Sequence, residues 1–187
     1  MTTKKISKQE AVDKGFFGPV YHGTNETARD AISKSGFKIH IGAERSGDIS
    51  NGFQASSYAD GKPAPIHLLG YGVYFTTVKA IAKEFNGGSL KGLKEYYLDA
   101  PKVETINFGS QSNMMKWWIA NGYDIPTTYP IKDMANSEIA DLRVKATKHL
   151  TDKLKSKWDG VWFKGKGIRK LLDGDQIVVF DPSRIYK

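Results

Sequence analysis

Apolar residues run in short alternating stretches near both ends of the chain and recur at helical spacing between them. The stretch Gly70-Tyr71-Gly72-Val73-Tyr74-Phe75-Thr76-Thr77 predicts a tight turn feeding a strand, with Val73 and Phe75 on one side and Tyr74 on the other. A second strand is predicted at Val20-Tyr21-His22-Gly23-Thr24, after the Phe16-Phe17-Gly18-Pro19 turn. Residues 1–15 predict a polar arm or a short frayed helix. Glu26 to Ser35 places Ala28, Ala31 and Ile32 at helical spacing, with Asn25 or Thr24 as its cap and Gly36 where a C-cap glycine belongs. From Lys38 to Pro65 the periodicity dissolves into glycine, proline and polar residues around Phe53 and Tyr58, which predicts a long loop.

Val78 to Phe85 predicts a short helix ended by Gly87-Gly88. Glu95 to Leu98 and Val103 to Asn107 predict strands on either side of a Pro101 turn. Gln111 to Asn121 predicts an amphipathic helix carrying an exposed-looking Trp117-Trp118 pair. After a Pro126–Pro130 loop, Met134, Ile139, Leu142, Ala146, Leu150 and Leu154 form one stripe of a helix over about Lys132 to Lys157. Two strands close the chain, Gly160 to Phe163 and Gln176 to Phe180, joined through the basic segment Lys164 to Lys170. The predicted class is α+β, in one domain.

Composition narrows the chemistry. The absence of cysteine among 187 residues excludes disulfides and thiol nucleophiles. His22, His40, His67 and His149 lack paired metal-ligand spacing, so no metal site is expected. Gly165-Lys166-Gly167 and Gly70-Tyr71-Gly72 each begin a dinucleotide fingerprint but lack its third glycine, and there is no phosphate loop or nucleophile elbow. No apolar run reaches the roughly 20 residues of a membrane span and the N-terminus has no secretory pattern, so a cytoplasmic monomer without membrane contact is expected. A net charge of +8 raises encounter with nucleic acid or acidic proteins, although the basic residues form no single stripe.

Three predicted strands carry chemistry: His22-Gly23 on the first, Tyr74 on the second, and Gln176 opening Ile177-Val178-Val179-Phe180-Asp181-Pro182 on the last. Val20 to Asn25, Gly72 to Thr76 and Val178 to Ile185, in that order, resemble the ADP-ribosyltransferase fold of the His-Tyr-Glu branch. That branch holds the poly(ADP-ribose)-polymerase-like and diphtheria-toxin-like enzymes, and the likeness is closest to the transferase domains of phage polyvalent proteins. It frames residues 18 to 185, with no motif matched over 110 to 158.

The resemblance implies a split β-sandwich with a helical segment at about 110–158, and a mono-ADP-ribosyltransferase using NAD as substrate on a host protein or nucleic acid. It implies that His22 bonds the adenine-side ribose, that Gly23 offers its backbone to the nicotinamide carboxamide, and that Tyr74 stacks on the nicotinamide. Phe85 falls where a second aromatic would complete the sandwich, and Thr24 joins the NAD-binding set. If the protein is phage-encoded, the host cytoplasm is its place of action.

Two positions depart from the pattern. Ala82 stands where the polymerase-like enzymes have a carboxamide-binding serine, and Gln176 stands where they have the catalytic glutamate. A glutamine can bond the ribose hydroxyl but brings no charge to an oxocarbenium-like transition state. Asp175 should face away from Gln176 unless the strand bulges, with Glu95 and Asp173 as outside candidates for the missing carboxylate. Besides transfer to a macromolecule, NAD hydrolysis and a silent nucleotide- or partner-binding role remain open. For 110 to 158 the reading is a helical insertion serving acceptor recognition, with an ordinary core helix as an equal alternative for the Trp117-Trp118 pair.

Overall fold

The computed structural model describes residues 3–39, 57–58, 62–63, 67, 69–123, 136–165 and 174–187. The polypeptide is of the α+β class and divides into two compact units, Met1–Ile39 with Gly72–Asn107 and Trp158–Lys187, and His40–Tyr71 with Phe108–Lys157.

The first unit holds two sheets. Helix α1 (Lys8–Asp13) leads into β1 (Phe17–Tyr21) and α2 (Glu26–Ser35). Of the two cap candidates for α2, Asn25 is the one that caps, its side chain accepting from the Ala28 N–H at 2.9 Å, and Gly36 ends the helix at φ 77°. Next come β4 (Val73–Phe75), α3 (Lys79–Phe85), β5 (Glu95–Leu98) and β6 (Val103–Ile106). The chain closes with β7 (Gly160–Gly165), β8 (Gly174–Val179), a 3-10 turn at Pro182–Arg184 and β9 (Ile185–Tyr186).

One sheet runs β1-β5-β9 and the other β4-β8-β7-β6. All pairs are antiparallel except β6 with β7. A parallel pair needs a long crossover, and here the chain from 107 to 159 supplies it. Val20, Phe37, Tyr96, Leu98 and Ile185 meet Val73, Phe75, Ile177 and Val179 in one buried cluster. Alternation along β4 and β8 therefore turns Tyr74, Gln176 and Val178 to the face away from that cluster.

In the second unit, β2 (Ser57–Tyr58) pairs antiparallel with β3 (Lys62–Pro63) inside the stretch expected to be irregular. Two such fragments are too short to show as a period of two in the sequence. Helix α4 (Gln111–Ala120) is capped by Ser110, and α5 (Asn136–Lys155) spans 20 residues. Of the two readings of the tryptophan pair, the structure favours the core helix: Trp118 is wholly buried and Trp117 half-buried. Methionines and tryptophans occupy most turns of α4, so its sequence does not say which side is wet.

The buried stripe of α5 also includes Arg143, Thr147 and Thr151 beside Ala146, Leu150 and Leu154. The Thr151 hydroxyl accepts from the Tyr71 N–H at 2.8 Å and donates to the Thr147 carbonyl at 2.7 Å, so this polar group is satisfied inside. Phe53, His40, the Pro126–Pro130 loop, Met134, Asp173 and residues 166–170 of the basic segment lie outside the described residues. No helix among the described residues is long and apolar enough to cross a membrane.

Candidate functional site

The strand expected over Val20 to Thr24 is corrected to Phe17–Tyr21, because Phe17 already pairs with Leu98 and the ladder to β5 stops at Tyr21. His22, Gly23 and Thr24 therefore lie past the end of β1, next to the β4 strand that carries Tyr74 and pairs with the β8 of Gln176. Tyr21 and Thr76 exchange both backbone hydrogen bonds, at 2.8 and 3.0 Å. If that antiparallel ladder continued, the next such pair would give the Tyr74 carbonyl to the Gly23 N–H. Instead the His22 Nδ1 takes the Tyr74 carbonyl at 2.8 Å. A carbonyl only accepts, which assigns the proton to Nδ1 and leaves Nε2 of the neutral ring as an acceptor.

Gly23 is then freed from the ladder and bends against α3. A Cβ on Gly23 would overlap the Ala82 carbonyl oxygen and lie 2.7 Å from the Phe85 Cβ, so only glycine fits this approach. Neither the N–H nor the C=O of Gly23 takes part in the backbone hydrogen bonds among the described residues. Phe85, the last residue of α3, is 58% exposed, an unusual setting for a phenylalanine beside a backbone with unused polar groups. Ala82 is buried and turns its carbonyl toward Gly23. Thr24 is half-buried, one residue before the α2 cap.

The loop after Phe85 is fastened rather than loose. The Asn86 amide donates to the Ser89 carbonyl at 2.6 Å and the Lys91 carbonyl at 3.2 Å, and Arg29 Nη1 donates to Asn86 Oδ1 at 3.2 Å. Arg29 and Asn86 escaped the sequence reading, because a surface arginine 57 residues from its partner leaves no local pattern.

Gln176 is half-buried on β8 opposite Phe163, on the same face as Tyr74. Asp175 faces the other way. The β7–β8 register runs without a bulge from Gly165↔Gly174 to Gly160↔Val179, so the strand does not bring the Asp175 carboxylate to the Gln176 side. Glu95 sits on β5, opposite Tyr21. It accepts from the Tyr21 hydroxyl at 3.3 Å and pairs with Lys79 Nζ at 3.5 Å. Of the carboxylates named for that role, Asp175 turns away and Glu95 lies on the other sheet, so the β8 residue nearest the end of β4 on the Tyr74 face is a neutral amide. Glu104 of β6 shares that face by register, two strands from β8.

His22 also sets an expectation for pH. Its ring packs 5.1 Å from Phe37 and 5.7 Å from Phe75, and this desolvation lowers its pKa, outweighing the opposite pull of the Tyr74 carbonyl. Below the ordinary histidine value near 6.5 the unfolded chain takes up a proton that the folded chain resists. The stability associated with neutral His22 is thus complete above about pH 6.5 and falls as pH drops through the lowered folded value. Denaturant titrations at pH 7.5 and 5.5 should show this loss, and His22→Gln should lose less over the same interval. Equal losses in both chains would remove His22 as the cause.

No protein-family model matches the chain, and no curated protein matches it.

Proposed function

We propose that the chain is a mono-ADP-ribosyltransferase that moves ADP-ribose from NAD to a host macromolecule and releases nicotinamide. The observation that carries this reading is the end of the β1–β4 pairing at Tyr21, which leaves the Gly23 backbone without a backbone partner among the described residues, beside the exposed Phe85 and one residue from His22, which holds the Tyr74 carbonyl. A flat aromatic amide matches such a place: its carboxamide can exchange two hydrogen bonds with one glycine while rings cover its faces. His22 Nε2, as an acceptor, suits a ribose hydroxyl.

In the reaction the bond from ribose C1 to the nicotinamide nitrogen breaks, and its electron pair neutralises the cationic ring. A nucleophile of the acceptor attacks C1 and gives up its proton to solvent. Gln176 accepts from a ribose hydroxyl through its amide oxygen but cannot offset the charge developing on the ribose. Slow transfer of a single unit follows, since Gln176 offers no carboxylate to activate a second acceptor. A protein acceptor is the default, and the +8 charge keeps nucleic acid in view.

The test is incubation in host lysate with NAD labelled on its adenylate half, comparing the natural chain with Tyr74→Ala. Label on macromolecules, reduced about tenfold or more in the variant by loss of stacking, supports the proposal. Protease or nuclease digestion then names the acceptor class, and a steep fall with salt accompanies a nucleic acid. Free ADP-ribose without labelled macromolecule would make the chain a hydrolase. NAD binding without turnover would make it a binding protein, as the neutral Gln176 allows. A natural chain that neither binds nor consumes NAD would sink the proposal.

A further inference from the structure

The ladder between β4 and β8 ends at Phe75↔Ile177, one residue short of Gln176. Beyond it Thr76 pairs with Tyr21 on its other edge, so among the described residues the backbone of Asp175 and Gln176 is laddered to β7 alone. The gap is closed by one side chain. Asp175 Oδ1 accepts from the Thr76 hydroxyl at 2.6 Å and the Thr77 N–H at 3.0 Å. Its Oδ2 accepts from the Thr77 hydroxyl at 2.6 Å and Trp162 Nε1 at 3.0 Å.

Trp162 is itself held, edge-on to Phe17 at 4.8 Å and under Lys164 Nζ at 3.7 Å. The Thr76 hydroxyl also accepts from the Val78 N–H at 3.1 Å, at the start of α3, which has no side-chain cap of its own. A single carboxylate therefore joins β8 and β7 to the end of β4, and through Thr76 to β1 and α3. These are the elements bearing Gln176, Tyr74, His22 and Phe85.

We infer that Asp175 is a positioning residue of the candidate site: it holds the N-terminal half of β8, and with it Gln176, at a set separation from Tyr74 and His22. This rests on the transferase reading. Both oxygens of Asp175 are committed to these donors, so it serves geometry and not the chemistry that Gln176 lacks. An asparagine in its place keeps the shape but turns an NH2 group either toward the Thr76 hydroxyl and the Thr77 N–H or toward the Thr77 hydroxyl and the Trp162 N–H, and in each orientation it meets an N–H that can only donate.

The experiment compares the natural chain with Asp175→Asn, Thr77→Val and Thr77→Ser, reading nicotinamide release, thermal unfolding and amide hydrogen exchange. Asp175→Asn should lower kcat about tenfold while KM for NAD moves less than threefold, because Gly23 and Tyr74 still hold the ring. Thr77→Val should lower kcat about threefold, and Thr77→Ser, which restores the hydroxyl, should return it to the natural value. Without NAD, Asp175→Asn should speed exchange of the Thr77 amide and leave the Val73–Phe75 ladder protected. If Asp175→Asn does not fold, the two Thr77 variants decide alone.

A folded Asp175→Asn with natural kcat and natural Thr77 exchange overturns the inference, as does a kcat loss matched by an equal rise in KM. A natural chain that does not consume NAD refutes the transferase reading instead. The exchange measurement still separates the two: unchanged Thr77 exchange removes the staple, and selective loss of protection retains it.

Discussion

Gly23→Ala is expected to reduce NAD binding and nicotinamide release at least about a hundredfold while lowering stability only moderately. The added methyl would enter the space of the Ala82 carbonyl and the Phe85 Cβ, and the carbonyl belongs to helix backbone that cannot rotate aside. Either α3 retreats or the Gly23 segment does, and both changes shift the unpaired N–H and C=O away from Phe85. Overpacking of this kind costs about 1–3 kcal/mol, and in a chain of this size each kcal/mol lowers Tm by about 2–4 °C. Isothermal titration with NAD beside a thermal melt separates the two effects. Full NAD affinity in Gly23→Ala would show that the site does not use this backbone.

Gln176→Glu is expected to raise the rate of nicotinamide release about a hundredfold. The substitution keeps the side-chain length and the face shared with Tyr74, and it adds the charge that an oxocarbenium-like transition state attracts. Because the gain comes from charge, it should vanish as the new carboxyl is protonated at low pH, which a pH–rate profile of both chains would reveal. KM should change little, since glutamine and glutamate both accept from a ribose hydroxyl. An unchanged kcat would mean that charge at position 176 is not what limits turnover.

The elements carrying the candidate site were readable from local patterns. Alternation marks β4 and the end of β8, glycine pairs mark where α3 stops, and Asn25 marks where α2 begins. Each of these signals lies within a few residues of the structure it specifies. The opposition of Asp175 and Gln176 was readable too, because a strand has a period of two and the register carries no bulge. The burial of Trp118 was not, since a ten-residue helix with apolar groups on most turns has several possible inner faces. Nor were Arg143, Thr147 and Thr151, which are polar by type and buried by position.

Sequence alone thus settles the type of the longer segments, because backbone sterics and side-chain periodicity act between near neighbours, but neither the bounds of β1 nor the two-residue strands β2 and β3. It also settles which residue types stand at the ends of β1, β4 and β8. The folded chain settles what those ends do together: Thr76 leaves β8 for Tyr21, His22 takes a carbonyl that the ladder would have used, and Asp175 bridges the opening from 99 residues away. Hydrogen bonds across such separations depend on where each sheet stops pairing, and that is decided by the competition of whole strands for partners.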